Sequence, residues 1–352
     1  MENLSNTSFS EEEKKLLDKG IKYNQPEKLS QRRMEDLAIS CEEVIQTMEY
    51  DARPEARTTI GKALLDIKDD PRRMHPSSTA LKRKITRLQE KIKSENLILT
   101  KADEGNTMVI MEKAEYVKKV ESYIAENGYL ELKKDPTEVY QRRLKKVLNE
   151  NEMANGRTCE MNPVAPKLKG LVKLHKENRP IRPLVNCIQS PCYKMAKTAA
   201  RFLKENYQFE PIYSIKNNME LIDKLDRLEI RNNDKLVSLD VTNMFGKIPR
   251  KDLLTLLENN RYHGHPDARK YVNVVKEIVS QNYCQFRGRF YEQPDGLAMG
   301  SPISPILAEI YMNHLENQIL NSSKFRDMIR HWTRFSSCGQ ALVDRWITFS
   351  LK

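Results

Sequence analysis

A single aspartate follows a short apolar run, and this combination of residue types suggests metal chemistry. Residues 236–239, Leu-Val-Ser-Leu, are typical of a strand, and Asp240 stands at its end. A carboxylate at the end of a buried strand needs a partner, because an unpaired buried charge is expensive. A metal ion is one such partner. Phe245 lies five positions after the acid, and residues 246–249 close the stretch with turn-forming chemistry.

A second motif, residues 296–305, reads Gly-Leu-Ala-Met-Gly-Ser-Pro-Ile-Ser-Pro. Its glycines at positions 296 and 300 allow another group to approach the backbone closely, as only glycine permits. Pro302 and Pro305 suit the first turn of a helix, which we expect to end near Leu320. The pattern predicts a loop that opens a long helix.

A third stretch, residues 166–185, is rich in cations and is predicted to form a hairpin. Pro180 and Pro183 remove ladder donors, which places the segment at a sheet edge. Its cations are Lys167, Lys169, Lys173, Lys176, Arg179 and Arg182. Cations along an edge could grip a triphosphate or a template backbone. The alternative is ordinary edge protection, in which lysine blocks pairing between sheets.

Several elements must position these three stretches. Residues 97–111 read as strand, turn, strand, and residues 284–291 as a hairpin that turns at Arg287 and Gly288. Near the N-terminus, Ser10 and Glu13 form a capping box that opens a helix, and Gly20 can close that helix. Apolar spacing predicts a further helix over residues 30–50, whose apolar face is formed by Met34, Leu37, Ala38, Cys41, Val44, Ile45 and Met48. Six more helices are predicted over residues 114–127, 138–149, 191–206, 222–228, 249–260 and 267–283.

Composition limits the class of protein. The chain has 352 residues, 39% apolar content and a formal net charge of +11, which suits a polyanionic partner such as nucleic acid or a merely solvated basic surface. No apolar run could span a membrane, and the N-terminus lacks a signal-peptide core. The six cysteines form no C-x-x-C pair, so we expect a reducing compartment, nucleus or cytoplasm.

Five ordered blocks carry a family resemblance. They are residues 9–23, 101–111, 170–191, 240–249 and 295–305. Over roughly residues 8–335 the chain resembles the reverse transcriptase of Penelope-like retroelements, with motif A at residues 240–249 and motif B at 295–305. The resemblance implies an α+β fold with right-hand fingers and a partial palm, a ferredoxin-like antiparallel sheet with helices. It also implies four segments: a basic helical extension (1–95), fingers (96–232), partial palm (233–335) and a non-homologous tail (336–352).

The resemblance also implies roles for individual residues. Asp240 would bridge two Mg²⁺ ions, and the Val241 carbonyl would complete a metal site. Phe245 would lie under the incoming sugar and exclude a 2′-hydroxyl, although a core aromatic is the alternative. The remaining nucleotide- and template-binding positions are Lys173, Lys176, Arg182, Gly296, Met299, Gly300 and Ser301. The implied partners are an RNA template, a DNA primer and deoxynucleoside triphosphates.

One departure from the family limits the activity expected. The family's third palm motif, Tyr/Phe-x-Asp-Asp, supplies the other metal-binding acids, but residues 335–340 read Phe-Ser-Ser-Cys-Gly-Gln. Asp344 is a lone acid that we expect at the surface. We also expect that the thumb is missing and that the frame changes near Phe335. Two metal ions cannot be held by one acid of three, so the sequence predicts no polymerase activity.

Two other classes of protein stay open at this point. One is a non-catalytic nucleic-acid-binding remnant of a reverse transcriptase, which keeps the fingers and half of the palm. The other is a basic helical scaffold without polymerase ancestry. Salt-dependent binding to an RNA–DNA hybrid separates the remnant from the scaffold.

Overall fold

The computed structural model describes residues 1–20, 31–46, 48–69, 77–105, 107–154, 158–208, 214–215, 217–227, 235–241, 243–259, 262, 264–322, 325–335 and 341–350. The strands 235–240, 325–335 and 341–350 are described by their backbone alone. The chain divides into two compact units. One contains Met1–Leu99 with Thr107–Lys113, and the other contains Thr100–Asn106 with Ala114–Lys352.

The first unit is mainly helical. Its helices are α1 (Glu11–Asp18), α2 (Gln31–Ile45), α3 (Arg53–Asp69) and α4 (Ser77–Ser94), with a 3₁₀ turn at Tyr50–Ala52. The capping box is confirmed: the Ser10 amide donates to Glu13 Oε2 (2.8 Å) and the Glu13 amide donates to Ser10 Oγ (3.3 Å). Gly20 follows α1 with φ +80°, as the helix-closing prediction requires.

The prediction for α2 is wrong in one respect. The helix forms, and Ile45 of the predicted face is buried, but the side chains of Leu37 and Val44 on the same face are 41% and 63% exposed. The predicted apolar face is therefore only partly packed. The core of this unit lies instead around Phe9, Leu17, Leu88, Leu97 and Ile110. These residues come from the N-terminal arm, α1, α4 and a small sheet.

The small sheet has the order β1-β3-β2, with β1 (Glu2–Asn3), β2 (Leu97–Lys101) and β3 (Met108–Glu112). The neighbouring β2 and β3 confirm the strand–turn–strand prediction for residues 97–111. β1 adds to β3 in a parallel pair, with Glu2 opposite Val109.

The second unit contains eight further helices among the described residues. They are α5 (Lys113–Glu126), α6 (Thr137–Glu150), α7 (Tyr193–Asn206), α8 (Asn218–Asp226), α9 (Met244–Lys247), α10 (Arg250–Glu258), α11 (Ala268–Ser280) and α12 (Ser304–Ser322). The helices predicted over residues 114–127, 138–149, 191–206 and 267–283 correspond to α5, α6, α7 and α11, and the helix predicted beyond Pro302 corresponds to α12. α11 is strongly amphipathic, and its apolar residues Val274, Val275 and Ile278 are buried.

A five-stranded sheet carries the cationic hairpin. Its order is β4 (Leu130–Leu132), β10 (Arg289–Glu292), β9 (Tyr283–Phe286), β5 (Lys167–Val172) and β6 (Ile181–Asn186). β5 and β6 pair antiparallel, with Leu171 opposite Arg182, and β6 is the outermost strand. The predicted position at a sheet edge is therefore confirmed. The turn between β9 and β10 falls at Arg287 (φ +50°) and Gly288 (φ +81°), as predicted.

A second sheet has the order β7 (Ser214–Ile215), β11 (Phe325–Phe335), β12 (Ala341–Ser350) and β8 (Lys235–Asp240). The predicted strand ending at Asp240 is thus β8, at one end of the sheet. Phe335 pairs with Ala341 across the β11–β12 hairpin, and Arg345 pairs with Asp240. Most of the predicted tail, residues 336–352, is therefore a strand of this sheet. The side chains of Asp240 and Asp344 lie outside the described residues, so the predicted burial of the strand and the surface position of Asp344 stay predictions.

The mixed helix-and-sheet architecture is the one predicted from sequence. Each of the two larger sheets is antiparallel apart from one parallel pair, β5 with β9 and β7 with β11. The main core lies among α6, α7, α10, α11 and α12, where Leu144, Met195, Leu253 and Leu307 are fully buried. Within the described residues, no helix has the length and apolar content that crossing a bilayer demands.

Candidate functional site

The turn after β8 packs against the glycine loop of motif B. Asn243 precedes α9 in a left-handed conformation (φ +51°), three residues after the end of the strand at Asp240. In the first turn of α9, the Phe245 carbonyl accepts a hydrogen bond from the Leu297 amide at 2.7 Å. Motifs A and B are therefore in direct contact through their main chains.

Gly296 is needed for this contact. Its φ is +79°, and a Cβ there would lie 2.7 Å from the Gly246 carbonyl oxygen. Asp295 supports the loop from the other side, since its Oδ1 accepts hydrogen bonds from the amides of Gly296 (2.9 Å) and Arg250 (2.8 Å). Asn282 Nδ2 donates to the Gly296 carbonyl at 3.2 Å. The glycine thus lets α9 and the loop approach each other.

Gly300 makes the second close approach, against the edge strand β6. Its φ is +128°, and a Cβ would overlap the carbonyl oxygen of Val185. One residue earlier, the Met299 carbonyl accepts from the Val185 amide at 2.7 Å. The loop therefore joins α9 on one side and the cationic hairpin on the other. Ser301 follows at the turn into α12, where its amide donates to the Ala298 carbonyl at 3.3 Å.

The structure thus brings together most of the predicted nucleotide-site residues. The motif B residues at positions 296, 299, 300 and 301 lie between α9 and β6, the strand that carries Arg182. A small cavity among them is lined by Pro183, Val185, Gly246, Leu297 and Met299. In these contacts the two glycines meet the chain's own backbone, and their approach to nucleotide and template stays a prediction.

Phe245 belongs to the packed core. Its side chain is 5% exposed and lies in the main hydrophobic cluster. Packing alone is sufficient reason for an aromatic residue at this position. Selection against a 2′-hydroxyl by this ring stays a prediction.

The predicted triphosphate cations lie on the β5–β6 hairpin and its turn. Arg182 is 17% exposed and its Nη1 lies 3.0 Å from Asp103 Oδ1. Lys173 donates its amide to the Pro180 carbonyl (2.9 Å), and the side chain of Lys176 is exposed. The turn passes through Asn178 and Arg179, both in the left-handed region.

Asp103 is a charged neighbour of this hairpin that sequence reasoning missed. Its side chain is 1% exposed. Burial raises the pKa of this carboxyl, against the opposing effect of the positive charges on Arg182 and Lys173. Its position after a predicted strand resembles that of Asp240, and this was the available signal.

Two polar side-chain contacts near motifs A and B were also missed. Asn243 Nδ2 donates to Asn127 Oδ1 at 2.9 Å, and Tyr129 Oη donates to Gln293 Oε1 at 3.0 Å. Both pairs are more than a hundred residues apart in sequence, so neither has a local signal.

The two predicted ligands alone do not fit two Mg²⁺ ions. They are Asp240 and the Val241 carbonyl, and residues 336–340, which follow the approach to the family's third motif in sequence, carry no carboxylate. Among the described residues, no three His, Cys, Asp or Glu side chains are grouped so that they could hold a metal ion. Hard cations need several oxygen ligands, which this donor set lacks.

Comparison with known proteins agrees with this architecture. Residues 174–332 match the family described as reverse transcriptase (RNA-dependent DNA polymerase). That range includes motif A, motif B and the contacts between them. No curated protein sequence matches the chain.

Solved structures of telomerase are similar at low identity. Telomerase from Candida albicans in complex with a TWJ fragment of telomeric RNA is 12% identical over 87% of this chain and 50% of its own, with a TM-score of 0.47. Apo telomerase from Candida tropicalis gives 9% identity over 74% and 48%, with a TM-score of 0.44. Its form truncated from the C-terminal domain gives 10% identity over 90% and 65%, with a TM-score of 0.47. The chain spans about half the length of the first two. On this match, residues 174–332 are similar to a reverse transcriptase domain.

Proposed function

We propose that this chain comprises the fingers and partial palm of a Penelope-like retroelement reverse transcriptase, and that it binds an RNA template paired with a DNA primer. The observation that carries the proposal is the contact between the two motifs, in which the Leu297 amide donates to the Phe245 carbonyl at 2.7 Å. The contact joins the segment that follows Asp240 to the glycine loop inside the region that matches the reverse transcriptase family. The Penelope-like subtype rests on the five sequence blocks.

The chain as it stands has no polymerase activity under this proposal. Nucleotide addition by two metal ions requires carboxylates from both motif A and the palm hairpin. The β11–β12 hairpin pairs Phe335 with Ala341, and the residues between them carry hydroxyl, thiol, glycine and amide groups. Asp240 alone cannot hold two ions.

Primer extension tests the proposed inactivity. The full chain is incubated with Mg²⁺, deoxynucleotides and a DNA primer on an RNA template, beside an Asp240→Ala control. We expect no extension above that control. Extension by the wild-type chain that Asp240→Ala abolishes would refute the inactivity and favour a complete metal site.

Hybrid binding tests the remaining function, that of a nucleic-acid-binding protein. The exposed cations Lys167 and Lys169 lie on β5 beside the edge strand, and the net charge is +11. Binding to an RNA–DNA hybrid should weaken as salt rises, because each phosphate contact releases counterions. The variant Lys167→Gln/Lys169→Gln should reduce the salt slope by roughly 1 to 2 units, about 0.9 per lost phosphate contact.

A matched control uses two exposed lysines on α6. Lys145→Gln/Lys146→Gln removes the same charge from α6, outside the hairpin. We expect a smaller change in slope than for the hairpin pair. If both pairs changed the salt slope equally, the hairpin would be one part of a general basic surface. Hybrid binding that does not depend on salt would overturn the proposal.

A further inference from the structure

The loop that contains Asp103 is fixed against β5 by its backbone. The Asp103 amide donates to the Val172 carbonyl at 2.9 Å, and the buried Thr100 Oγ1 donates to the Gly170 carbonyl at 2.9 Å. Ala102 forms a parallel bridge with Val172. These contacts set the position of the Asp103 side chain beside the end of β5, so the carboxylate cannot move away without breaking them.

The Asp103 carboxylate faces a guanidinium and is enclosed. Its two oxygens accept no hydrogen bond from the described residues, although Oδ1 lies 3.0 Å from Arg182 Nη1. The other charges that act on it come from Lys173, His175 and Glu104.

The Arg182 guanidinium contacts Asp103 through one nitrogen, and part of the Arg182 side chain is exposed to solvent. Its Nη1 is enclosed against Asp103, and 17% of the side chain is exposed on the outermost strand. Guanidinium presents five donors in a rigid fork, so an inward-facing corner leaves the others for a ligand. Forks of this kind bind phosphate oxygens in pairs.

We propose that Asp103 is a positioning residue that fixes the Arg182 guanidinium in advance for the triphosphate of an incoming nucleotide. The inference rests on the proposed function and on the triphosphate-binding role that the family resemblance implies for the hairpin cations. An arginine ordered before binding loses less side-chain freedom when the ligand arrives. The acid therefore acts through Arg182 and does not touch the nucleotide.

A simple charge effect predicts the opposite sign. Removing a negative charge beside an anion site would tighten anion binding. Glu104 supplies the matched control, because its side chain is 41% exposed and lies 3.7 Å from His175 Nδ1. Glu104→Gln removes the same charge from the same loop without releasing Arg182.

The test measures binding of inorganic tripolyphosphate to the full chain by calorimetry, at constant pH and salt. We expect Asp103→Asn to weaken binding by about three- to tenfold, the cost of immobilising one long side chain. Glu104→Gln should leave affinity unchanged or slightly higher. In an Arg182→Gln background, Asp103→Asn should have no further effect, because the residue acts through the arginine.

Fold is checked by circular dichroism for every variant. If Asp103→Asn does not fold, Asp103→Glu keeps the charge and shifts it by one methylene, and we expect it to weaken tripolyphosphate binding with the fold retained. The NMR signal of the Arg182 Nε–Hε group, observed in chain labelled with ¹⁵N-arginine, should also become narrower in the variant that folds, because the guanidinium moves more freely.

Three results would overturn the inference. The first is that Asp103→Asn binds tripolyphosphate as tightly as Glu104→Gln does. The second is that Asp103→Asn weakens binding equally in the wild-type chain and in the Arg182→Gln background. The third is that the wild-type chain does not bind tripolyphosphate. The proposed function stands apart from these outcomes, because hybrid binding depends on the exposed lysines of β5. Salt-dependent hybrid binding without tripolyphosphate binding would remove the nucleotide site and leave the nucleic-acid surface.

Discussion

Substitution of Gly300 by alanine should open the contact between the motif B loop and the edge strand. The residue has φ +128°, and a Cβ there would overlap the Val185 carbonyl oxygen, a backbone atom that cannot rotate away. A positive φ costs a residue with a side chain about 1–2 kcal/mol. Forcing an extra carbon into a packed contact typically adds about 1–3 kcal/mol. The sum is about 2–5 kcal/mol.

Amide hydrogen exchange at Val185 reports this opening directly, because that amide donates to the Met299 carbonyl at 2.7 Å. A loss of 2 kcal/mol or more accelerates exchange through local opening by roughly thirtyfold or more. Exchange is read site by site, so the two compact units of the chain need not unfold together.

Gly288→Ala is the matched control. Gly288 also has a positive φ, +81°, but a Cβ there meets no atom within 4 Å. This variant should cost about 1–2 kcal/mol at its own turn and leave Val185 exchange unchanged. If Gly300→Ala protected Val185 as well as Gly288→Ala does, the close approach of loop and strand would be refuted.

Three further predictions follow from other contacts. Ser10→Ala should destabilise α1 by about 1 kcal/mol, because the Glu13 amide loses the hydrogen bond to the Ser10 hydroxyl. Amide hydrogen exchange at Glu13 should become faster, and the control variant Ser8→Ala should leave it unchanged. Asn243→Ala should destabilise α9 by about 1 kcal/mol or more, because it removes the hydrogen bond to Asn127 and puts alanine at φ +51°. Asn243→Gly should lose only the hydrogen bond, because glycine adopts a positive φ readily. The urea midpoints of unfolding compare the two variants. Because the pKa of Asp103 is raised in the folded chain, its protonated carboxyl favours the folded state. This contribution to the free energy of unfolding is complete below the ordinary pKa near 3.8 and is lost as pH rises through the pKa of the folded chain. The stability of wild type relative to Asp103→Asn should therefore fall as pH rises from about 4, and a difference independent of pH would contradict the assigned burial.

Local patterns in the sequence were sufficient for the elements that position the site. The capping box at Ser10, the tight turn at Gly288 and the helix opened beyond Pro302 each depend on residues within a few positions of one another. The edge position of the hairpin was also predictable, because proline removes a ladder donor wherever it stands.

Contacts between distant residues could not be derived in the same way. The carboxylate of Asp103 meets Arg182 only when Ala102 bridges β5 and β5 pairs with β6, and the Asn243 amide meets Asn127 only after the sheet and helices assemble. The burial of the α2 face was overestimated for a related reason: apolar spacing predicts an amphipathic helix, but the neighbouring elements decide how much of its apolar face is covered.

Extension by a chain in which the family's acid pair is restored tests the central claim most directly. Ser337→Asp/Cys338→Asp converts residues 335–338 to Phe-Ser-Asp-Asp between β11 and β12, and β12 pairs with the strand that ends at Asp240. Single-nucleotide incorporation is measured with Mg²⁺ and an RNA-templated primer. We predict incorporation by the double variant, none by the wild-type chain, and loss again on Asp240→Ala. Incorporation by wild type and double variant alike, or by neither, would contradict the claim that the missing acid pair of the third motif accounts for the lack of activity.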